Sequence, residues 1–218
     1  MMISVESFYE QNLKGKTAAK ILSVIRGLKR EISRLKKAIA NPDMECIAEP
    51  SDDVRLFCTR KYLERAKQAL IEVGGVYTPS KAEQKAEEFD ANIPHIRKVE
   101  FCIGGYFGGY EARTYTVEGD RLRMFFAFSR YEPYSDAEVH LQMQKDEFLA
   151  RLADLHIGEW RRNYVNPCVL DGTEWDLRIE YSNGHKPIKI EGINEYPYNF
   201  DKLKELFDIE EVAEDEEE

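Results

Sequence analysis

The sequence predicts an α+β protein: an N-terminal helical, coiled-coil-like domain over residues 1–96, then an antiparallel sheet built of two hairpin-helix units over 97–209. Three patterns lead there. Apolar residues of the first part recur at spacings of three and four. Past Ile93-Pro94, where the domain boundary is placed, they alternate with polar ones. Two segments, 110–157 and 171–208, each run strand, tight turn, strand, proline-bearing loop and helix.

Taken in order, Ser4 to Gly15 reads as a short helix carrying Phe8 and Leu13 and ended by Gly15. Thr17 stands at the cap position of a longer helix over 17–39. Its Ile21, Ile25, Leu28, Ile32, Leu35 and Ile39 form a heptad seam, stopped by Asn41-Pro42. Between Lys14 and Lys37 lie nine basic residues and one acid, Glu31, a local balance of +8 in a chain of net charge −10. The helix therefore has an apolar edge and a cationic back. Its seam packs either on a neighbouring helix of the same chain or on a second copy. Its back is either solvated or a contact for phosphate or an acidic protein surface, with Lys29, Arg30, Arg34, Lys36 and Lys37 as candidates. No aromatic residues interleave with them, which argues against stacking on single strands.

Thr59 is a cap candidate for a helix from Arg60 to Val73, with a stripe of Tyr62, Leu63, Ala66, Ala69 and Leu70 and a Gly74-Gly75 stop. Ser80 and Glu83 form a capping box before a third helix that ends near Phe89. Val99, Phe101 and Ile103 then alternate as a strand entering Gly104-Gly105-Tyr106-Phe107-Gly108-Gly109. A phosphate-binding glycine loop opens a helix. Here strand-like residues 112–117 follow, so the glycines are expected to serve a bend or bulge, with an active site beneath them as the alternative.

The later hairpin is the most sharply written. Trp175, Leu177, Ile179 and Tyr181 alternate with charged residues, and Asn183-Gly184 suits a type I′ turn that sets Ile179 opposite Ile188 and Leu177 opposite Ile190. Pro187 belongs at a strand start or edge. Asn199 is placed to cap a helix with Leu203, Leu206 and Phe207. The earlier hairpin turns at Glu118-Gly119-Asp120, with Arg121 opposite Glu118, and precedes a helix carrying Phe148, Leu149, Leu152 and Leu155. Its exit, Tyr131-Glu132-Pro133-Tyr134-Ser135, parallels Glu195-Tyr196-Pro197-Tyr198-Asn199. The two units read either as a degenerate internal duplication or as products of common turn chemistry. Tyr131, Tyr134, Tyr196 and Tyr198 are candidate partner anchors, or else pack their loops onto the core.

No catalytic or metal motif stands out. Cys46, Cys58, Cys102 and Cys168 lack Cys-x-x-Cys spacing, and His95, His140, His156 and His185 are as dispersed, so no metal and no cofactor is expected. Asp171-Gly172-Thr173 is similar to an aspartyl-phosphatase signature, but Val169 occupies the nucleophile position. With no apolar leader at Met1-Met2-Ile3-Ser4 and no run of membrane length, the expected setting is the cytoplasm without a membrane partner. Residues 210–218, seven acids among nine, form an acidic tail expected to be disordered.

Tyr-Phe-Gly-Gly-Tyr (106–110), Ile-Gly-Glu-Trp-Arg-Arg (157–162), Asp-Gly-Thr-Glu-Trp (171–175) and Asn-Glu-Tyr-Pro-Tyr-Asn-Phe (194–200), with the Asn12-to-Lys16 opening, resemble a family of uncharacterised proteins of Gram-positive anaerobes and their phages or conjugative elements. The resemblance implies no activity and no site residues. It implies a mobile-element setting, in which small acidic proteins often bind and inhibit host defences such as CRISPR nucleases. The expected function is therefore non-catalytic binding of a protein partner in a nucleic-acid-handling host complex. The alternatives are direct nucleic-acid binding through the basic helix and an enzyme with its site near Gly104 to Gly109.

Overall fold

The computed structural model describes residues 2–42, 49–105, 108–128, 138–139, 143–168 and 172–209. The chain divides between Pro79 and Ser80 into two compact units. The boundary expected near Ile93-Pro94 thus lies on the far side of a helix that belongs with the sheet.

The first unit holds α1 (Val5–Asn12), α2 (Ala18–Ala40) and α3 (Asp52–Glu72). Ser4 caps α1 by accepting from the Ser7 N–H at 3.0 Å. The α2 seam is buried at Ile21, Ile25, Ile32 and Leu35. Ile21 and Ile25 share a cluster with Ala66, Ala69 and Leu70, while Glu31 reaches Arg55 at 3.3 Å, so α2 and α3 run antiparallel. Phe8 of α1 stacks on Tyr62 of α3 with ring centroids 4.3 Å apart.

Two cap assignments change here. Helix α3 begins eight residues before the expected Arg60, because Ser51 caps it by accepting from the Val54 N–H at 3.4 Å. Thr59 lies buried within the helix, its hydroxyl satisfied by donating to the Arg55 carbonyl at 2.7 Å. Thr17 occupies the cap position of α2, but its side chain makes no capping hydrogen bond.

The second unit holds α4 (Lys81–Asn92), β1 (Ile96–Gly105), β2 (Gly109–Glu118), β3 (Arg121–Ala127), β4 (Glu138–Val139), α5 (Lys145–Asp154), β5 (Asn163–Val165), β6 (Glu174–Tyr181), β7 (Ile188–Ile193) and α6 (Phe200–Leu206). The seven strands form one sheet in the order β4-β3-β2-β1-β6-β7-β5. All pairs are antiparallel except β5 with β7, so the sheet is mixed rather than wholly antiparallel. Strand β1 is central, with β2–β3 on one side and β6–β7 on the other.

Alternation places Val99 and Phe101 of β1, Tyr115 of β2, Met124 of β3, Trp175, Leu177 and Ile179 of β6 and Ile190 of β7 in one buried cluster. Helices α5 and α6 close over it with Phe148, Leu152, Phe200, Leu203 and Leu206, joined by Phe207 just past the end of α6. Removing each large apolar side chain from water stabilises the unit by about 1.5–3 kcal/mol. Phe101 sits 5.2 Å from Phe207 and 5.8 Å from Phe200, and Tyr115 sits 4.5 Å from Phe148.

Helix α4 joins this unit through its capping box, which sets its start, and through its packing. Ser80 accepts from the Glu83 N–H while Glu83 accepts from the Ser80 N–H. Gly158, in the 3₁₀ turn Ile157–Glu159, lies so close to α4 that a Cβ there would meet Ala86 Cα at 2.7 Å. Phe89 and Ile93 enter the sheet cluster.

In the β6–β7 hairpin, Leu177 pairs with Ile190 and Ile179 with Ile188, the register expected. The type I′ turn itself does not form: of the Asn183-Gly184 pair only Gly184 takes a positive φ, 81°. The loop is drawn to the segment before β1 instead, with the Ser182 N–H donating to the His95 carbonyl at 2.8 Å and the Asn183 side-chain amide donating to Asn92 Oδ1 at 2.8 Å. Asn199 precedes α6 without capping it, because its side-chain amide donates to the buried Leu155 carbonyl at 2.8 Å.

Candidate functional site

Two surfaces gather the residues singled out by the sequence, one on each unit. On the first, the seam of α2 faces inward and Lys20, Arg26, Arg30, Arg34 and Lys37 are exposed. Lys29 and Lys36 are half-buried on the flank. Lys29 lies 3.3 Å from the Tyr77 hydroxyl and 5.9 Å from its ring centroid. Arg34 makes a two-pronged bond to Glu31, at 2.9 and 2.7 Å, and Arg55 approaches the same carboxylate. The bond from Arg34, with the charge of both arginines, holds the Glu31 carboxyl below its usual range against a smaller opposing effect of burial. The single acid of α2 is thus committed to two arginines, leaving Arg26, Arg30 and Lys37 as the cations opposite the seam that form no ion pair among the described residues. Arg26 is absent from the five candidates read from the sequence; counting positions around the helix against the seam is the signal that finds it.

On the second unit, Tyr196 is 39% exposed and Tyr198 half-buried, while Tyr131 and Tyr134 lie outside the described residues. Tyr196 caps a ladder of rings: it stands 4.7 Å from Phe200, Phe200 stands 4.8 Å from Trp175, and Trp175 contacts Tyr164 at 5.6 Å and Trp160 at 6.5 Å. Bonds between side chain and main chain fix the loop beneath it. The Trp175 indole N–H donates to the Glu195 carbonyl at 3.0 Å, and Asn194 Oδ1 accepts from the Thr173 N–H at 2.8 Å. Arg161 pairs with the Glu195 carboxylate and lies 4.4 Å from the Tyr164 ring centroid.

Three residues before Tyr196, Ile193 is 40% exposed, and its register partner Val165 on the edge strand β5 is 51% exposed. Neither is apparent from the sequence, because β5 is too short to show a period. Nearby, Lys85 donates to the Trp160 carbonyl at 2.7 Å. Burial, followed by the charge of Arg162, holds its ammonium below the usual lysine range.

The glycine run closes the β1–β2 hairpin, with Gly105 opposite Gly109. A Cβ on Gly104 would stand 2.1 Å from the Gly109 carbonyl oxygen, and one on Gly105 would stand 2.6 Å from that of Gly172. These glycines allow backbone to approach backbone. Tyr106 and Phe107 lie outside the described residues, as do Val169, Asp171, Cys46, His140 and the 210–218 tail. A cleft lined by Glu118, Asp120, Arg121, Leu122, Arg123, Met143 and Gln144 lies at the β2–β3 turn, its charges of both signs. Among the described residues, no three His, Cys, Asp or Glu side chains converge as a metal site, and no helix is long and apolar enough to cross a membrane. The chain matches no family model, and no curated protein or solved structure matches it either.

Proposed function

We propose that this chain is a non-catalytic binding protein, of the inhibitor type carried by mobile elements and phages, that occludes a protein surface in a nucleic-acid-handling host complex. The observation that carries the reading is Tyr196: a large ring, partly open to solvent, on a loop held by core hydrogen bonds and backed by a continuous aromatic ladder. A rigid tyrosine supplies contact area at little entropic cost, which is why tyrosine is enriched among residues that dominate interface energies. Exposed Ile193 and Val165, register partners on the same unit, add apolar surface.

Residues 80–218 carry 31 acidic and 17 basic side chains, a balance suited to meeting the basic channel of a nucleic-acid-binding machine. We read the two hairpins with α5 and α6 as two hairpin-helix units that form the scaffold of this surface, and the setting as cytoplasmic.

The test is affinity capture from a nuclease-treated host lysate by the wild-type chain and by Tyr196→Ala, with bound proteins identified by mass spectrometry. One protein complex retained by the wild type and lost from the variant, at unchanged melting temperature, supports the reading. Equal capture by both chains, or no specific capture, refutes it.

A further inference from the structure

We propose that the outward face of α2 binds the backbone of B-form duplex DNA without reading its sequence. A helix advances about 1.5 Å and 100° per residue, so Arg26, Arg30, Arg34 and Lys37 fall within an arc of about 80° directly across from the seam, spread over about 16 Å of axis. Lys20, nearer the N-terminus, lies about 40° beyond the edge of this arc. Among the described residues, Lys20, Arg26, Arg30 and Lys37 form no ion pair. Glu31 does not neutralise them, since Arg34 and Arg55 already hold its carboxylate. The first turn of α2 contains no acid, so the positive end of the helix dipole reinforces the same field.

The form of nucleic acid follows from shape. The arc carries no aromatic side chain on which an unpaired base could stack, which disfavours single strands. A helix about 10–12 Å across matches the B-form major groove, about 12 Å wide. The A-form RNA major groove is deep and narrow and does not admit it. Three uncommitted guanidinium and ammonium groups with no amide side chain between them suit phosphates rather than base edges. This site is on the other unit from Tyr196, so it stands or falls independently of the protein-binding surface.

The experiment is fluorescence anisotropy with the full chain and short labelled duplexes of two unrelated sequences, beside a matching RNA duplex and a single strand. Three phosphate contacts predict a log-log salt slope of about −2.7, an affinity loss of about 40-fold between about 50 and 200 mM salt. The two DNA sequences should bind alike. R26Q/R30Q/K37Q should abolish the salt-dependent binding while leaving the melting temperature unchanged, because these side chains form no ion pair among the described residues. The charge-reversed R26E/R30E/K37E gives an independent check of the same loss. Absence of binding at low salt, undiminished binding by the folded variants, or tighter binding of RNA duplex or single strand would each overturn the proposal.

Discussion

Trp175 and Gly192 are register partners in adjacent strands, and the indole lies so close over the glycine that a Cβ built there would stand 2.2 Å from Nε1. The bare backbone of β7 is what lets the largest buried side chain of β6 reach the Glu195 carbonyl and stack on Phe200. Gly192→Ala should therefore destabilise the sheet unit by about 1–3 kcal/mol through overpacking. Urea unfolding followed by tryptophan fluorescence checks this; an unchanged midpoint would mean the indole has room to move.

Tyr196 should separate binding from stability. Its outer face is in solvent, so Tyr196→Ala should cost less than about 1 kcal/mol, the scale of one aromatic pair. Phe200→Ala, one ring further in and buried, should cost about 3–5 kcal/mol. Comparable losses at both positions would assign Tyr196 to the core instead.

Tyr181 is buried and its hydroxyl has no hydrogen-bond partner among the described residues. Burial, aided by the charge of Glu88, pushes its phenol up to about 12 from the usual 10. The folded state thus holds the proton more tightly than the unfolded one. The contribution of this phenol to stability is constant below pH 10 and is lost as pH rises from about 10 to about 12, by about 2–3 kcal/mol for the two-unit displacement. Tyr181→Phe should equal or exceed the wild type in stability at neutral pH, since it removes an unsatisfied buried hydroxyl, and should shed its share of the alkaline loss. Chemical denaturation at neutral and alkaline pH measures both effects.

The helix caps make a paired comparison. Ser80→Ala removes one half of a reciprocal capping box and should cost about 1 kcal/mol. Thr17→Ala removes a hydroxyl that makes no capping bond, and its effect should stay within a few tenths of a kcal/mol. Equal losses would show that Thr17 caps α2 in solution after all.

Much of the local structure is determined by the sequence alone. The seam of α2, the capping box at Ser80 and the pairing of Leu177 with Ile190 follow from spacing, since each depends on residues a few positions apart or on a short hairpin. Glu118 stands opposite Arg121 for the same reason. The outward cations of α2 were likewise legible, apart from the division between exposed Arg26, Arg30 and Lys37 and the half-buried or paired Lys29, Lys36 and Arg34.

Tertiary structure decided the rest, wherever a distant group competed for a hydrogen bond or a face. Asn199 satisfies the Leu155 carbonyl and so does not cap its helix. Asn183 bonds to Asn92, and the hairpin gives up its two-residue turn. Helix α4 joins the sheet because Gly158 admits it at close range. Strand β5 exists because Tyr164 can enter the ring ladder from a parallel edge, and that pairing exposes Val165 and Ile193. Periodicity records which face of an element is apolar; it carries no record of which distant backbone atom or ring will meet that face, and the surface around Tyr196 is composed of such meetings.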